Sequence, residues 1–180
     1  MSYQSVGEIF DGNAKVRERF RSIVGSLTGE QAAHVPKGEK WSIAQIVEHV
    51  SMVEDGMSRI CIKLLGRAEA DGIESNGVFE ISTDFFSKSG EAAHVKLEAP
   101  ERVHPNEGKS ISESLTKMDE ASERFAQQRP SFEKYDCRAH KFPHPYFGDL
   151  TAVEWLVLIG GHEARHLQQI KKIIEQGFPV

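Results

Sequence analysis

The chain has 180 residues, 39% of them apolar and 27% charged, with a formal charge of −5 and a pI near 5.9. That length suits a single domain, residues 1–180, with a core of its own, and the composition is that of an ordinary globular protein. The acidic balance and the lack of any basic block exclude electrostatic binding of nucleic acid or of an anionic membrane surface.

The opening stretch MSYQSVGEIFDGN lacks the basic start and apolar run of a secretory signal. The longest apolar run, around WLVLIGG, is far too short to span a bilayer. Cys61 and Cys137 stand far apart with neither metal nor redox spacing, so reduced thiols and a cytoplasmic location are expected.

Four segments repeat apolar residues at threes and fours, the period of an amphipathic helix. The first runs from Ser5 to Ser26 through Val6, Ile9, Phe10, Val16, Phe20, Ile23 and Val24. The second runs from Trp41 to about Gly66 through Ile43, Ile46, Val47, Val50, Val53, Met57, Ile60 and Leu64. Between it and the third lies a long stretch without sustained periodicity, in which VFEI suggests a brief strand and DFFSKSGEAA a turn of helix. The third helix covers Ile111 to Gln128, with Leu115, Met118, Ala121 and Phe125 on its apolar side. A proline-rich segment from Arg129 to Leu150 leads to the fourth, Ala152 to about Gln176. SIAQ at 42–45, SISE at 110–113 and TAVE at 151–154 each place Ser or Thr three residues before Gln or Glu. That is a capping box: the hydroxyl accepts an orphan backbone N–H and the longer side chain reaches back to the cap. Four long helices joined by one or two long crossings predict an all-α four-helix bundle.

The fourth helix carries the chemistry. At about 100° per residue, Ala152, Trp155, Leu156, Ile159, Ile170, Ile173 and Ile174 form one stripe, and Glu154, Arg165, Gln168, Lys171, Lys172 and Glu175 face the other way. His162 and His166 fall in the middle of the apolar stripe and Glu163 on its edge. Two imidazoles facing a core need partners, and a metal ion serves both, because side chains four apart on a helix converge. The alternative is a pair of hydrogen-bonded core histidines. A third ligand must come from another helix, and His49 flanks Ile46 and Val53 at the edge of the second stripe. Glu54 and Asp55 are not singled out by their wheel positions, and the acid-rich 39–55 face reads as solvated apart from His49. His34, His94, His104, His140 and His144 fall in loops.

His162-Glu163-x-x-His166 also spells the zinc-peptidase signature H-E-x-x-H, with Glu163 as candidate catalytic base. The extended form of that signature fails: Gln169 stands in place of its Gly and Lys172 in place of its third His. The single acidic residue after His166 is Glu175, on the outer face of the same helix. Glu163 therefore reads equally as a helix-surface carboxylate or as a partner for a neighbouring imidazole.

WSIAQIVEHV, LEAPERVHPNEGKS, HPYFGDLTAVEWL and HEARHLQQI, in this order along nearly the whole chain, resemble the DinB/YfiT-like superfamily. The resemblance implies an up-down-down-up bundle, usually a homodimer, with His49, His162 and His166 holding a divalent metal, zinc or nickel. It implies a small-molecule metalloenzyme, either a metal-dependent hydrolase or an S-transferase using a low-molecular-weight thiol such as bacillithiol or mycothiol. The alternative is a non-catalytic metal-binding or stress-response interaction protein. Three neutral ligands leave the metal its full charge and an open position, which suits either chemistry. Gln169 and Arg165 belong to the same motif, with Gln169 reading equally as a ligand-orienting or pocket-lining residue or as a solvated helix side chain. His144 and Tyr146 are candidates for a structural entry turn or for substrate contact. Trp41 and Trp155 are expected as core anchors.

Overall fold

The computed structural model describes residues 3–92, 95, 97–106 and 108–178; His94 lies outside them. Six α-helices and one hairpin follow in the order α1 (Val6–Val24), α2 (Gly29–Ala33), α3 (Ile43–Asp71), α4 (Thr83–Ala92), α5 (Ile111–Lys134), β1 (Lys141–His144), β2 (Gly148–Thr151) and α6 (Ala152–Glu175). The long helices α1, α3, α5 and α6 form a four-helix bundle. None of the described helices is long and apolar enough to cross a membrane.

The three anticipated capping boxes are all present, at Ser42/Gln45, Ser110/Glu113 and Thr151/Glu154, and a fourth opens α2 at Thr28/Gln31. Two helices run further than their periodicity suggested. α3 passes through Gly66 and stops where Gly72 adopts a left-handed φ of 66°. α5 continues through Pro130 to Lys134, carried by the burial of Phe132. The VFEI segment forms no strand, because Phe79 and Ile81 pack singly against the core and no neighbouring strand offers hydrogen bonds. DFFSKSGEAA is α4, with Phe85 buried.

Two core clusters fix the direction of each helix. One holds Ile9 of α1, Met57 to Leu65 of α3, Phe125 and Phe132 of α5, and Trp155 to Ile159 of α6. The other holds Phe20 and Val24, Ile43 to Val50, Leu115 and Met118, and Leu167 to Ile173. The start of α1 thus shares an end with the finish of α3 and α5 and the start of α6, which is up-down-down-up. Parallel neighbours require a return crossing. α3, with 29 residues, is about 43 Å long, and segment 72–110 makes that return.

Glycines 160 and 161 sit side by side on α6 in opposite circumstances. A Cβ on Gly160 would lie 2.0 Å from Asn13 Oδ1, and Asn13 is held in place by donating to the Leu156 carbonyl at 2.9 Å. A Cβ on Gly161 meets nothing within 4 Å. Gly160→Ala is expected to cost about 1–3 kcal/mol through overpacking, whereas Gly161→Ala should stabilise by about 0.5–1 kcal/mol through helix propensity. Urea denaturation of the two variants checks this; equal effects would mean that α1 and α6 are not in close contact at Gly160.

Candidate metal centre

His49 from α3 meets His162 and His166 from α6 where these two helices pack antiparallel. Ring centroids are 5.3 Å apart for His49–His162, 5.0 Å for His49–His166 and 4.6 Å for His162–His166. One nitrogen from each imidazole lies within 4.8 Å of the other two. The three residues picked out by sequence therefore converge.

Each ring is held differently. His49, 3% exposed, packs 5.1 Å from the Trp41 ring, and its Nδ1–H donates to the Val103 carbonyl at 2.7 Å. His166 Nδ1 donates to Gln169 Oε1 at 2.9 Å, one turn further along α6. In both, the proton on Nδ1 leaves Nε2 with a free lone pair, as expected where an outer partner orients a metal ligand. His162 has no such partner: its Nδ1 is buried and unbonded. An unsatisfied buried polar atom costs about 1–3 kcal/mol, and an ion among the rings would give this ring a partner. Burial also lowers the basicity of all three; neighbouring imidazoles and Arg165 add to this at His162, and His166 falls to about 4. All three are neutral donors at neutral pH, the form that zinc and nickel accept.

Glu163 lies elsewhere. It is 1% exposed, so it is not a surface carboxylate, and its Oε1 accepts from Arg17 Nε at 2.8 Å. Arg17 also donates to Glu54, to the Met118 carbonyl at 2.9 Å and to Ser122 Oγ at 2.9 Å, tying all four long helices together. Glu54 Oε1 has no donor, and burial together with the Glu163 charge raises the Glu54 pKa well above the usual carboxylate range. A proton on Glu54 would let that oxygen donate towards Glu163. The 39–55 face is accordingly less solvated than its composition suggested, with Glu48 and Glu54 each 1% exposed.

Sequence reasoning missed Arg17 and Glu54, although a signal existed. Asn13, Arg17, Phe20 and Val24 recur at fours and threes along α1, so Arg17 interrupts an apolar stripe. Glu154, expected on the outer face of α6, is buried at 2% because its carboxylate caps Thr151 and also accepts from Ser82 N and Oγ.

His144 ends β1 at the edge of the hairpin turn, where its Nδ1 accepts the N–H groups of Tyr146 and Phe147. Its ring packs 5.3 Å from Trp155, which is buried and donates Nε1–H to the Phe142 carbonyl. Of the remaining described histidines, His140 pairs with Asp71, His104 bonds the Ala99 carbonyl and His34 packs on Phe178. Cys61 and Cys137 are free buried thiols, with Cys137 raised to about 11 by burial. A cavity of about 400 Å³ lies near the starts of α1 and α6, apart from the histidines. Its Arg129 and Arg138 are already matched by Glu133, Asp11 and Asp136.

An up-down-down-up helical bundle with three imidazoles converging between its second and fourth long helices defines a class of protein able to hold a metal ion inside the bundle. A profile of the DinB superfamily matches residues 14–170, and the chain belongs to that superfamily. It is 27% identical over 151 residues to the uncharacterized protein YuaE of Bacillus subtilis (strain 168), covering 83% of this chain and 87% of that one. The crystal structure of TT2238, a four-helix bundle protein, shares the fold with a TM-score of 0.60 and 20% identity, over 93% of this chain and 99% of the other.

Proposed function

We propose that the chain binds one zinc or nickel ion through His49, His162 and His166 and transfers a low-molecular-weight thiol to an electrophilic small molecule. The observation that carries the metal half is the buried, partnerless Nδ1 of His162 beside two imidazoles whose tautomers are already set. When bound, a divalent ion supplies the Lewis acidity that favours a thiolate over a thiol at neutral pH. The placement of Glu163 supports thiol transfer over hydrolysis. A hydrolase built on H-E-x-x-H uses that carboxylate to take a proton from water. Here it is sealed in the bundle and engaged by Arg17, whereas a thiol held as its thiolate needs no such base. The chain's own residues fix the ligands: Val103 and Gln169 orient two imidazoles, Trp41 packs against the first, and the α3–α6 contact brings them together.

Elemental analysis of protein purified without an affinity tag should find about one ion per chain in the wild type and none in His49→Ala or His162→Ala. Conjugation of 1-chloro-2,4-dinitrobenzene should then depend on both added thiol and bound metal. Ester hydrolysis without thiol would favour the hydrolase reading instead, and folded protein that takes up neither zinc nor nickel would sink the proposal.

A further inference from the structure

We infer that Arg17 is a positioning residue for the metal centre: by holding Glu54 of α3 and Glu163 of α6 with one guanidinium, it sets the register in which His49 meets His162 and His166. The inference rests on the metal-binding reading above and adds to it a residue outside the ligand set.

A bound ion is demanding about distance. Zinc–imidazole bonds are about 2.0–2.1 Å long, and a working site holds them to within about 0.2 Å. His162 and His166 share one helix and are set by it. His49 comes from α3, so the centre depends on how α3 and α6 slide and turn against each other. Apolar packing alone fixes such a contact loosely, because hydrophobic attraction has no direction. The outer partners of the rings do not add the missing constraint: Gln169 stands on α6 beside His166, and Val103 lies in the crossing.

Arg17 supplies it. Its Nε donates to Glu163 Oε1 at 2.8 Å and its Nη2 to Glu54 Oε2. Towards the end of the bundle where α6 begins, Glu54 lies about 7.5 Å past His49 and Glu163 about 4.5 Å past His166 along their helix axes. The clamp therefore closes within about a turn and a half of the ligands. Glu163 also lies about 60° round α6 from His166 and about 100° from His162, so fixing its direction fixes theirs. The planar guanidinium holds its donors in one frame, and that frame is anchored on α5 by the Met118 carbonyl and Ser122 Oγ. The Arg17 side chain is 13% exposed and its two carboxylates are buried, so water and salt screen these bonds little. Other interhelical contacts join different pairs. Arg21–Asp119 and Arg124–Asp55 tie α5 to α1 and α3, and Asn13 ties α1 to α6 through the Leu156 carbonyl.

The test compares two variants that break the clamp with two that spare it, each checked first for a cooperative melt. Arg17→Lys keeps a cation beside the carboxylates but loses the fork, and Glu163→Ala removes the α6 side. Glu163→Gln keeps an acceptor oxygen for Arg17 Nε. Asn13→Ala breaks the α1–α6 hydrogen bond and leaves α3 alone. Zinc affinity is read by competition with a chelator, and site geometry by the visible absorption of cobalt(II)-loaded protein, which follows ligand arrangement. Arg17→Lys and Glu163→Ala should bind zinc about tenfold more weakly than the wild type, the lower end of what outer positioning groups contribute, with shifted cobalt bands. Glu163→Gln and Asn13→Ala should keep both the affinity and the bands of the wild type. Unchanged affinity and bands in the clamp variants, or equal weakening in the two that spare the clamp, overturns the role of Arg17 and leaves the metal centre standing. Wild-type protein that takes up neither zinc nor cobalt overturns both readings together.

Discussion

Replacing Arg17 by alanine is expected to lower the unfolding free energy by about 3–5 kcal/mol, the cost of removing one partner from a buried ion pair. A typical domain has only about 5–15 kcal/mol in total. The loss is large because Arg17 serves two carboxylates at once. Glu54 and Glu163 are each 1% exposed, and Arg17 is the cation bonded to both. Without it the pair must either stay charged in a medium that solvates them poorly or take up protons. Two bonds to α5, at Met118 and Ser122, disappear as well. Glu54→Gln should cost far less, since it keeps the shape and leaves one carboxylate facing one guanidinium. The sign with pH follows from the raised Glu54 pKa. A carboxyl that binds its proton more tightly when folded gives stability that is present at low pH and is lost as pH rises from the ordinary carboxylate value through the folded one. Glu54→Gln should reduce that dependence without abolishing it, because burial also raises Glu163. Urea denaturation across pH for wild type and both variants measures all of this. A loss below about 1 kcal/mol for Arg17→Ala would show the site to be open to water, since only exposed pairs are worth so little.

The fold was legible because its signals are local and redundant. Each capping box is read within four residues, and each opens a stripe whose period no strand could share. The three histidines were legible for the same reason: His162 and His166 interrupt the centre of one stripe and His49 the edge of another. Glu54 was hidden by a choice of stripe. Val53 fits a helical face adjacent to the real one, but the buried seam of α3 runs through Val47, Val50, Glu54, Met57, Cys61 and Leu64 at alternating threes and fours. An acid in that seam requires a buried cation, and Arg17 interrupts the facing stripe of α1. Reading the two interruptions together would have predicted the pair. The hairpin at 141–151 was out of reach for a different reason. Pro143 sits in its first four-residue strand and Pro145 in the turn, where His144 accepts two backbone N–H groups, a contact with no periodic trace. The bond from His49 to Val103 spans 54 positions and was equally invisible.

Metal removal should reverse the rank of two proteins. An ion that binds only the folded chain stabilises it by about 4 kcal/mol when its free concentration is a thousandfold above Kd. At this chain length that corresponds to a melting shift of roughly 8–16 °C. In the metal-loaded state His162→Leu should therefore melt well below the wild type. In the metal-free state it should match or exceed the wild type, because leucine removes a buried nitrogen that has no partner. A core histidine held only by packing would give the same order with and without metal. Acidity separates the readings again. Folded His166 titrates near 4 rather than 6.5 because burial opposes its charge. Between those values the unfolded chain binds a proton that the folded chain refuses. Metal-free protein should thus lose stability as pH falls from 6.5 towards 4, at up to about 1.4 kcal/mol per pH unit for this one group. His144, depressed to about 4 in the same way, adds to the slope. Metal occupancy at His166 should behave differently, staying level from about pH 7 to 5, because protons compete for the folded lone pair only as its own pKa is approached. Occupancy halved near pH 6.5 would mean that the imidazoles titrate as solvated groups, which is incompatible with a ligand set buried between α3 and α6.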